Sequence, residues 1–305
     1  MTTMNIGVIG GGLMGHGIGY LLAVAGHDVG IYEPSAEIRS TIPQRVQAIA
    51  DLLEDDPAHL TRISVHDTLA AAAADADFVF EAAPEKLPLK QQIFAELEAH
   101  ARADTILASN SSALPSTEIG RHLKRRERVV GTHFWNPPHL VPLVEVIQTE
   151  WTGDEVVQKT MTLLRDAGRS PVHVRRDIPG FIGNRLQHAL KREAIALVAD
   201  GVADAETIDT VIKDGFGARL AVLGTFEQTD LVGVNLTLDI HETLLAHLDR
   251  STEPHPLLRR LVAEGKLGMR TGEGFRKWTP EAAQAVRDRL SRYLADAAKA
   301  RRRDR

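Results

Sequence analysis

The chain has 305 residues and a mass of 33.4 kDa, with 43% hydrophobic and 25% charged side chains, an ordinary globular composition with room for two domains. Its net charge of -5 offers nothing to nucleic acid or a membrane surface, and the absence of cysteine removes disulfides, thiol nucleophiles and Cys-based metal sites. No apolar run approaches membrane-spanning length, and a strand pattern starts at Asn5, which leaves no room for a signal peptide. A cytoplasmic protein is expected, without nucleic-acid or membrane partners and without a metal. The basic runs at 301–303 and 124–128 read as a solvated tail and a turn.

In chain order, residues 5–9 read as a buried strand running into a glycine-rich turn, then a helix over 18–25. A second strand over 28–32 closes at Glu33-Pro34. Further strands are expected at 78–80, 105–108, 129–134, 144–147 and 171–174. Helical spacing covers 36–53, 89–102 and 155–167, and 70–74 is an alanine-rich helix. This alternation predicts an α/β fold, a Rossmann-type doubly wound, mostly parallel sheet with helices on both faces. Beyond Asp177-Ile-Pro-Gly180 the β-branched runs stop, and helical spacing at 184–198, 205–213 and 280–299 predicts a smaller all-α domain. The expected boundaries are 1–178 for a dinucleotide-binding domain and 179–305 for a helical domain serving substrate and dimerisation.

Gly10-Gly-Gly12-Leu13-Met14-Gly15 matches G-x-G-x-x-G between a strand and a helix, the context that gives this pattern its specificity. Gly10 permits the tight turn, Gly12 lets backbone approach a pyrophosphate, and Gly15 allows helix to pack on strand. Glu33, about 20 residues on, sits where an acid meets the adenosine ribose. No arginine immediately follows it to receive a 2′-phosphate, so NAD is favoured over NADP.

Two later segments suggest the chemistry. His133 ends the apolar run from Val129, and Glu145 lies between valines in the next run, where an unpaired carboxylate would be costly. A histidine leaving the neighbouring strand is a natural partner, and His with carboxylate is a common way to orient a general base. An unrelated loop histidine beside an edge-strand Glu is the plainer alternative. Ser109-Asn110-Ser-Ser112 closes another strand at the end where doubly wound sheets bind ligands, although such clusters also serve as turns and caps. His139 and His16 read as loop and packing residues, and no histidine spacing suggests a metal.

The ordered set of Gly10-x-Gly12-x-x-Gly15, Phe80-Glu-Ala-Ala-Pro-Glu85 with Lys90, Ser109 to Ser112, His133-Phe-Trp-Asn-Pro137 with Leu143-Val-Glu145, Pro179 to Arg185 and Thr271-Gly-Glu-Gly-Phe275 resembles the 3-hydroxyacyl-CoA dehydrogenase family along nearly the whole chain. The resemblance implies an enzyme in which His133 is general base, Glu145 orients it, and Ser112 and Asn184 hold the substrate oxygen and carbonyl. It implies cofactor contacts from Leu13, Met14, Glu33, Glu85, Lys90, Asn110, Asn136 and Arg270; the last stands where lysine is usual. A homodimer through the helical domain is implied as well.

The chain departs from the CoA-using pattern in two places. CoA-using members carry lysines after the second strand, whereas 39–60 has none and ends in Glu54, Asp55 and Asp56, which would repel a polyanion. Gly215-Phe-Gly-Ala-Arg219-Leu-Ala-Val-Leu-Gly224 resembles the branch acting on small free acids, including L-gulonate and carnitine dehydrogenases. Arg219 is therefore expected to hold a substrate carboxylate through its planar fork, the alternative being a surface arginine at a helix end. The expected substrate is a small free hydroxy or keto acid. A short-chain 3-hydroxyacyl-CoA dehydrogenase, a non-catalytic NAD-binding protein like the λ-crystallins, and a lysine-using β-hydroxyacid dehydrogenase are the competing readings.

Overall fold

A computed structural model describes residues 2–303. Two compact units divide the chain. Met1–Asn184 together with Ser291–Arg305 form the first, and Arg185–Leu290 the second. By this clustering the C-terminal segment goes with the first unit, and the join falls a few residues after the expected residue 178.

The first unit is built on one eight-stranded sheet. Its strands are β1 Asn5–Ile9, β2 Asp28–Tyr32, β3 Ile63–His66, β4 Phe78–Glu81, β5 Ile106–Ser109, β6 Val129–Phe134, β7 Leu143–Ile147 and β8 Ser170–Val174. Their order is β3-β2-β1-β4-β5-β6-β7-β8, parallel throughout except between β6 and β7. β1, β4, β5 and β6 are almost entirely buried, as expected where helices cover both faces. The covering helices are α1 Gly15–Val24, α2 Ala36–Leu53, α3 Leu69–Ala73, α4 Leu87–His100, α5 Ser116–Gly120 and α6 Asp154–Asp166. Strand β3 was not anticipated. Ser64 and His66 interrupt its apolar pattern, and it forms the sheet edge, where burial is incomplete.

Strand order reverses between β1 and β4, the two strands flanked by opposite halves of the sheet, so the carboxyl end of β1 is a ligand crevice by topology. Near the other edge the antiparallel β6–β7 pair sets His133 opposite Glu145. Directly opposed residues share one face of the sheet, so register alone brings base and carboxylate together.

In the second unit lie most of α7 Gly183–Ala199, then α8 Ala205–Asp214, α9 Thr225–Val232, α10 Val234–Leu244, α11 Pro256–Ala263 and the start of α12 Pro280–Arg303. Asp204 caps α8 by accepting from the Thr207 N–H at 2.8 Å, and Pro256 opens α11 where its missing N–H costs nothing. The all-α expectation holds for this unit. None of the helices of the described residues is long and apolar enough to cross a membrane.

Candidate active site

The glycine turn leaves β1 at Gly10, whose φ of 100° a side chain would resist. A Cβ on Gly15 would lie 1.7 Å from the Gly10 carbonyl oxygen, so only glycine lets α1 start this close to the turn. A Cβ on Gly12 would meet nothing within 4 Å, which leaves that stretch of backbone open to a phosphate at a helix N-terminus. Glu33, at the end of β2, accepts from the N–H groups of Gly11 and Ser35, each at 2.9 Å. Both carboxylate oxygens keep a lone pair for ribose hydroxyls. These features fit the adenosine diphosphate half of NAD, and the Glu33 carboxylate opposes a 2′-phosphate. Met14 is the residue before α1, and Leu13 is exposed on the turn.

Two arginines of α2, which the sequence reading gave no role, support this turn. Arg45 donates to the carbonyls of Gly11 at 3.1 Å and Gly12 at 3.3 Å, and Arg39 donates to the Glu33 carbonyl at 2.7 Å. Their spacing on one helix was visible in the sequence, but which face met the turn was not.

At the other end of the site, His133 Nδ1 lies 2.7 Å from Glu145 Oε2, both residues buried. Glu145 Oε1 accepts the N–H groups of Ile182 at 2.9 Å and Gly183 at 3.0 Å. Burial pushes the Glu145 carboxyl up, but hydrogen bonds from His133 and these two amides outweigh it and hold the group below its ordinary value. Trp135 and Phe181 flank the imidazole with ring centroids at 5.5 and 5.6 Å. Gly183 is glycine for space, since a Cβ would fall 2.4 Å from the Trp135 ring.

A continuous set of contacts runs on from Gly183. The next residue, Asn184, donates to the Ser112 carbonyl at 2.8 Å. Glu85 Oε1 accepts the N–H groups of Ser112 and Ala113 at 2.9 Å and the Ser111 hydroxyl at 2.6 Å. Burial raises the Glu85 carboxyl; the Ser111 and backbone hydrogen bonds and the Lys90 charge more than offset that, leaving it lowered. Lys90 lies 3.4 Å from Glu85 and donates to Glu81 at 2.7 Å. Asn110 ties the end of β5 to β6 by accepting the Phe134 N–H at 2.9 Å. Of the expected residues, His133, Glu145, Asn184, Ser112, Glu85 and Lys90 therefore belong to one connected cluster. Asn136 is exposed in the β6–β7 connection.

Glu81 stands in the motif Phe80 to Glu85 but was given no role there. It is fully buried, accepts from Lys90, from the Ser109 hydroxyl at 2.7 Å and from the Ala83 N–H at 2.7 Å. An acid directly after the apolar run 78–80 was the available signal. Arg219 and Arg270 are exposed residues of the second unit, in the turn Phe216–Arg219 and just after Met269.

Two expectations about charge are corrected. The acidic stretch after α2 is not bare: Glu54 pairs with Lys299 at 2.6 Å, and Asp55 pairs with Arg302 and accepts from the Tyr20 hydroxyl. Repulsion of a polyanion there loses two of its three charges. The basic run is the end of α12, where Arg302 and Arg303 are exposed as expected, but the helix before it buries Ala295 and Ala298 in the first unit's core. His139, expected as a loop residue, is in the β6–β7 connection but largely buried; burial first, then the His16 and Arg169 charges, push its imidazole down to about 4. His16 packs at the turn, its Nδ1 2.7 Å from the Gly12 carbonyl, and burial lowers it too.

Two family models match the chain in tandem: the NAD-binding domain of 3-hydroxyacyl-CoA dehydrogenase over residues 5–178 and its C-terminal domain over 180–278. A 5-formyl-3-hydroxy-2-methylpyridine 4-carboxylate 5-dehydrogenase of Mesorhizobium japonicum is 34% identical over 95% of this chain and 96% of its own. The crystal structure of an enzyme of that name, described as an NAD+-dependent dismutase, superposes with a TM-score of 0.91 at 32% identity and 99% coverage of both chains. An L-carnitine dehydrogenase of Streptomyces griseus is 38% identical over 75% of this chain and 68% of its own. The structure of (S)-3-hydroxybutyryl-CoA dehydrogenase from Ralstonia eutropha has a TM-score of 0.76 at 29% identity, covering 91% of this chain and all of that one.

Proposed function

The chain belongs to the 3-hydroxyacyl-CoA dehydrogenase family and is an NAD-dependent oxidoreductase acting on a CH–OH group, and from that premise we propose that it interconverts the alcohol and ketone at C3 of a small free carboxylic acid. The observation carrying this reading is the buried 2.7 Å contact between His133 and a Glu145 whose other oxygen is fixed by two amides. When bound, NAD takes or returns the hydride. His133, its Nδ1 committed to Glu145, takes the hydroxyl proton at Nε2 as the C3 hydride departs, and returns it in the reverse direction. The ionised Glu145 stabilises the resulting imidazolium. Ser112 and Asn184 donate to the oxygen on which negative charge develops during ketone reduction.

A free acid is supported by the relative named for a pyridine carboxylate, which matches the chain end to end, and by the carnitine dehydrogenase. Arg219 supplies the carboxylate partner. The CoA reading is the alternative, and the pairing of Glu54 and Asp55 with Lys299 and Arg302 favours it, because the acids no longer stand against a polyanion. We also propose a homodimer, supported by the exposed apolar side chains of the second unit.

NADH-linked reduction of a panel of free 3-oxo acids, with acetoacetyl-CoA beside it, tests these assignments. Free acids should turn over, and His133→Gln should lower kcat by about 10²- to 10⁴-fold. Arg219→Met should raise KM for the acid by roughly 10- to 100-fold, the loss of a charged hydrogen bond. Turnover of the CoA ester alone would replace the free acid, NADH binding without turnover would leave a crystallin-like protein, and an unchanged KM would dismiss Arg219.

A further inference from the structure

Residues 135–142 join β6, which carries His133, to β7, which carries Glu145. This connection includes Trp135 beside the imidazole and Asn136 next to it in sequence, and two sets of contacts hold it. The first comes from α1, the helix that opens from the glycine turn. A Cβ on Gly17 of α1 would stand 2.8 Å from the Pro138 ring and 3.1 Å from His139 Nδ1, so the connection rests on bare helix backbone.

Two guanidinium groups make the second set. Arg301, near the end of α12, donates to the Leu140 carbonyl at 2.7 Å, and Arg169 donates to the Pro138 carbonyl at 3.2 Å. Leu140 is itself buried in the same core cluster as Ala295 and Ala298 of the C-terminal segment. Carbonyls in an irregular connection have no ladder partner, and a buried one left unsatisfied costs about 1–3 kcal/mol. A guanidinium, charged at every working pH, is a fixed anchor for such groups. The neighbouring cations of α12 face elsewhere: Lys299 binds Glu54, and Arg302 binds Asp55.

We propose that Arg301, with Arg169 beside it, is a positioning residue for the dehydrogenase reaction. By fixing the backbone of the β6–β7 connection against α1, it holds Trp135 and Asn136 in place beside the His133–Glu145 pair. The C-terminal segment then supports the active site, although it lies beyond residue 278, where the family model ends. The proposal rests on His133 as the base.

Full-length wild type, Arg301→Met, Arg301→Lys and Lys299→Met provide the test, through kcat and KM per NADH-binding site and hydrogen exchange of the peptide 135–142. Arg301→Met should lower kcat by roughly 10- to 100-fold, the scale on which small misplacements of reacting groups act. It should quicken exchange in that peptide by about tenfold or more, equivalent to about 1.4 kcal/mol, with NADH affinity little changed. Arg301→Lys should recover part of both, and Lys299→Met neither gain nor lose. A merely stabilising role would lower Tm while leaving kcat per NADH site at the wild-type value, and that result overturns the proposal; so does unchanged exchange. If wild type reduces no substrate, the proposed function fails, while the exchange comparison still decides whether Arg301 holds the connection.

Discussion

The two compact units deploy their side chains in opposite ways. In the first, charged groups are buried among the strands: Glu81 is 0% exposed, Lys90 1%, Glu145 1% and His133 4%. In the second, apolar groups face outward: Val222 is 86% exposed, Phe226 84% and Leu231 73%, and its buried hydrophobic residues among those described are Ala196 and Ala283. Burying a charge is tolerable only where hydrogen bonds wait for it, and a sheet with helices on both faces supplies fixed backbone donors and a fixed register. A set of short helices with outward apolar faces is the surface that the proposed second copy of the chain would cover.

The largest effect that would break this contrast belongs to the buried charges. Glu81→Ala removes the nearer carboxylate of the buried Lys90 ammonium, leaving it Glu85 at 3.4 Å and the Ala83 carbonyl at 3.3 Å, which should destabilise the fold by about 3–5 kcal/mol in urea denaturation. Glu81→Ala with Lys90→Met should recover much of the loss. A wild-type midpoint for the single variant would mean that the buried pair carries no such cost.

Next comes the buried imidazole of His139. Its folded-state value of about 4 lies below the ordinary value of about 6.5, so between these the unfolded chain holds a proton that the native state refuses. Native stability should therefore be complete above about pH 6.5 and decline as pH falls towards 4, by at most about 3 kcal/mol from this group. His139→Leu should flatten that decline. An acid limb that is identical in the variant would show that His139 does not contribute to it.

The smallest effect tests the second unit. If a second copy covers its apolar faces and folding is coupled to association, each tenfold dilution should weaken apparent stability by about 1.4 kcal/mol, visible as a concentration-dependent Tm. A Tm independent of concentration, with a monomer mass in sedimentation, would leave the exposed faces without that explanation.

Much of the first unit was legible because its signals are local. The glycine turn depends on spacing within six residues, and the His133–Glu145 pair follows from two adjacent strands whose antiparallel register sets them opposite. What escaped was long-range. Glu54 meets Lys299 and Asp55 meets Arg302 across almost the entire chain, so two runs that look solvated separately cancel one another when folded. The same holds for the tail, where arginines hide the alanine face of α12 that packs into the core. β3 escaped because an edge strand need not be apolar.

Glu85 has a consequence for the way an acidic substrate can lie. The turn after β5 gathers the N–H groups of Ser112, Ala113 and Leu114 into a small concave nest of the kind that captures anions. The protein fills that nest with a carboxylate of its own. The carboxylate of the proposed free acid would meet a receptor already occupied by Glu85, so its orientation at this end of the site would be set by refusal. The neutral oxygen of its hydroxyl or ketone would suffer no such rejection at Ser112, while the acid end of that proposed substrate would turn towards a cation elsewhere.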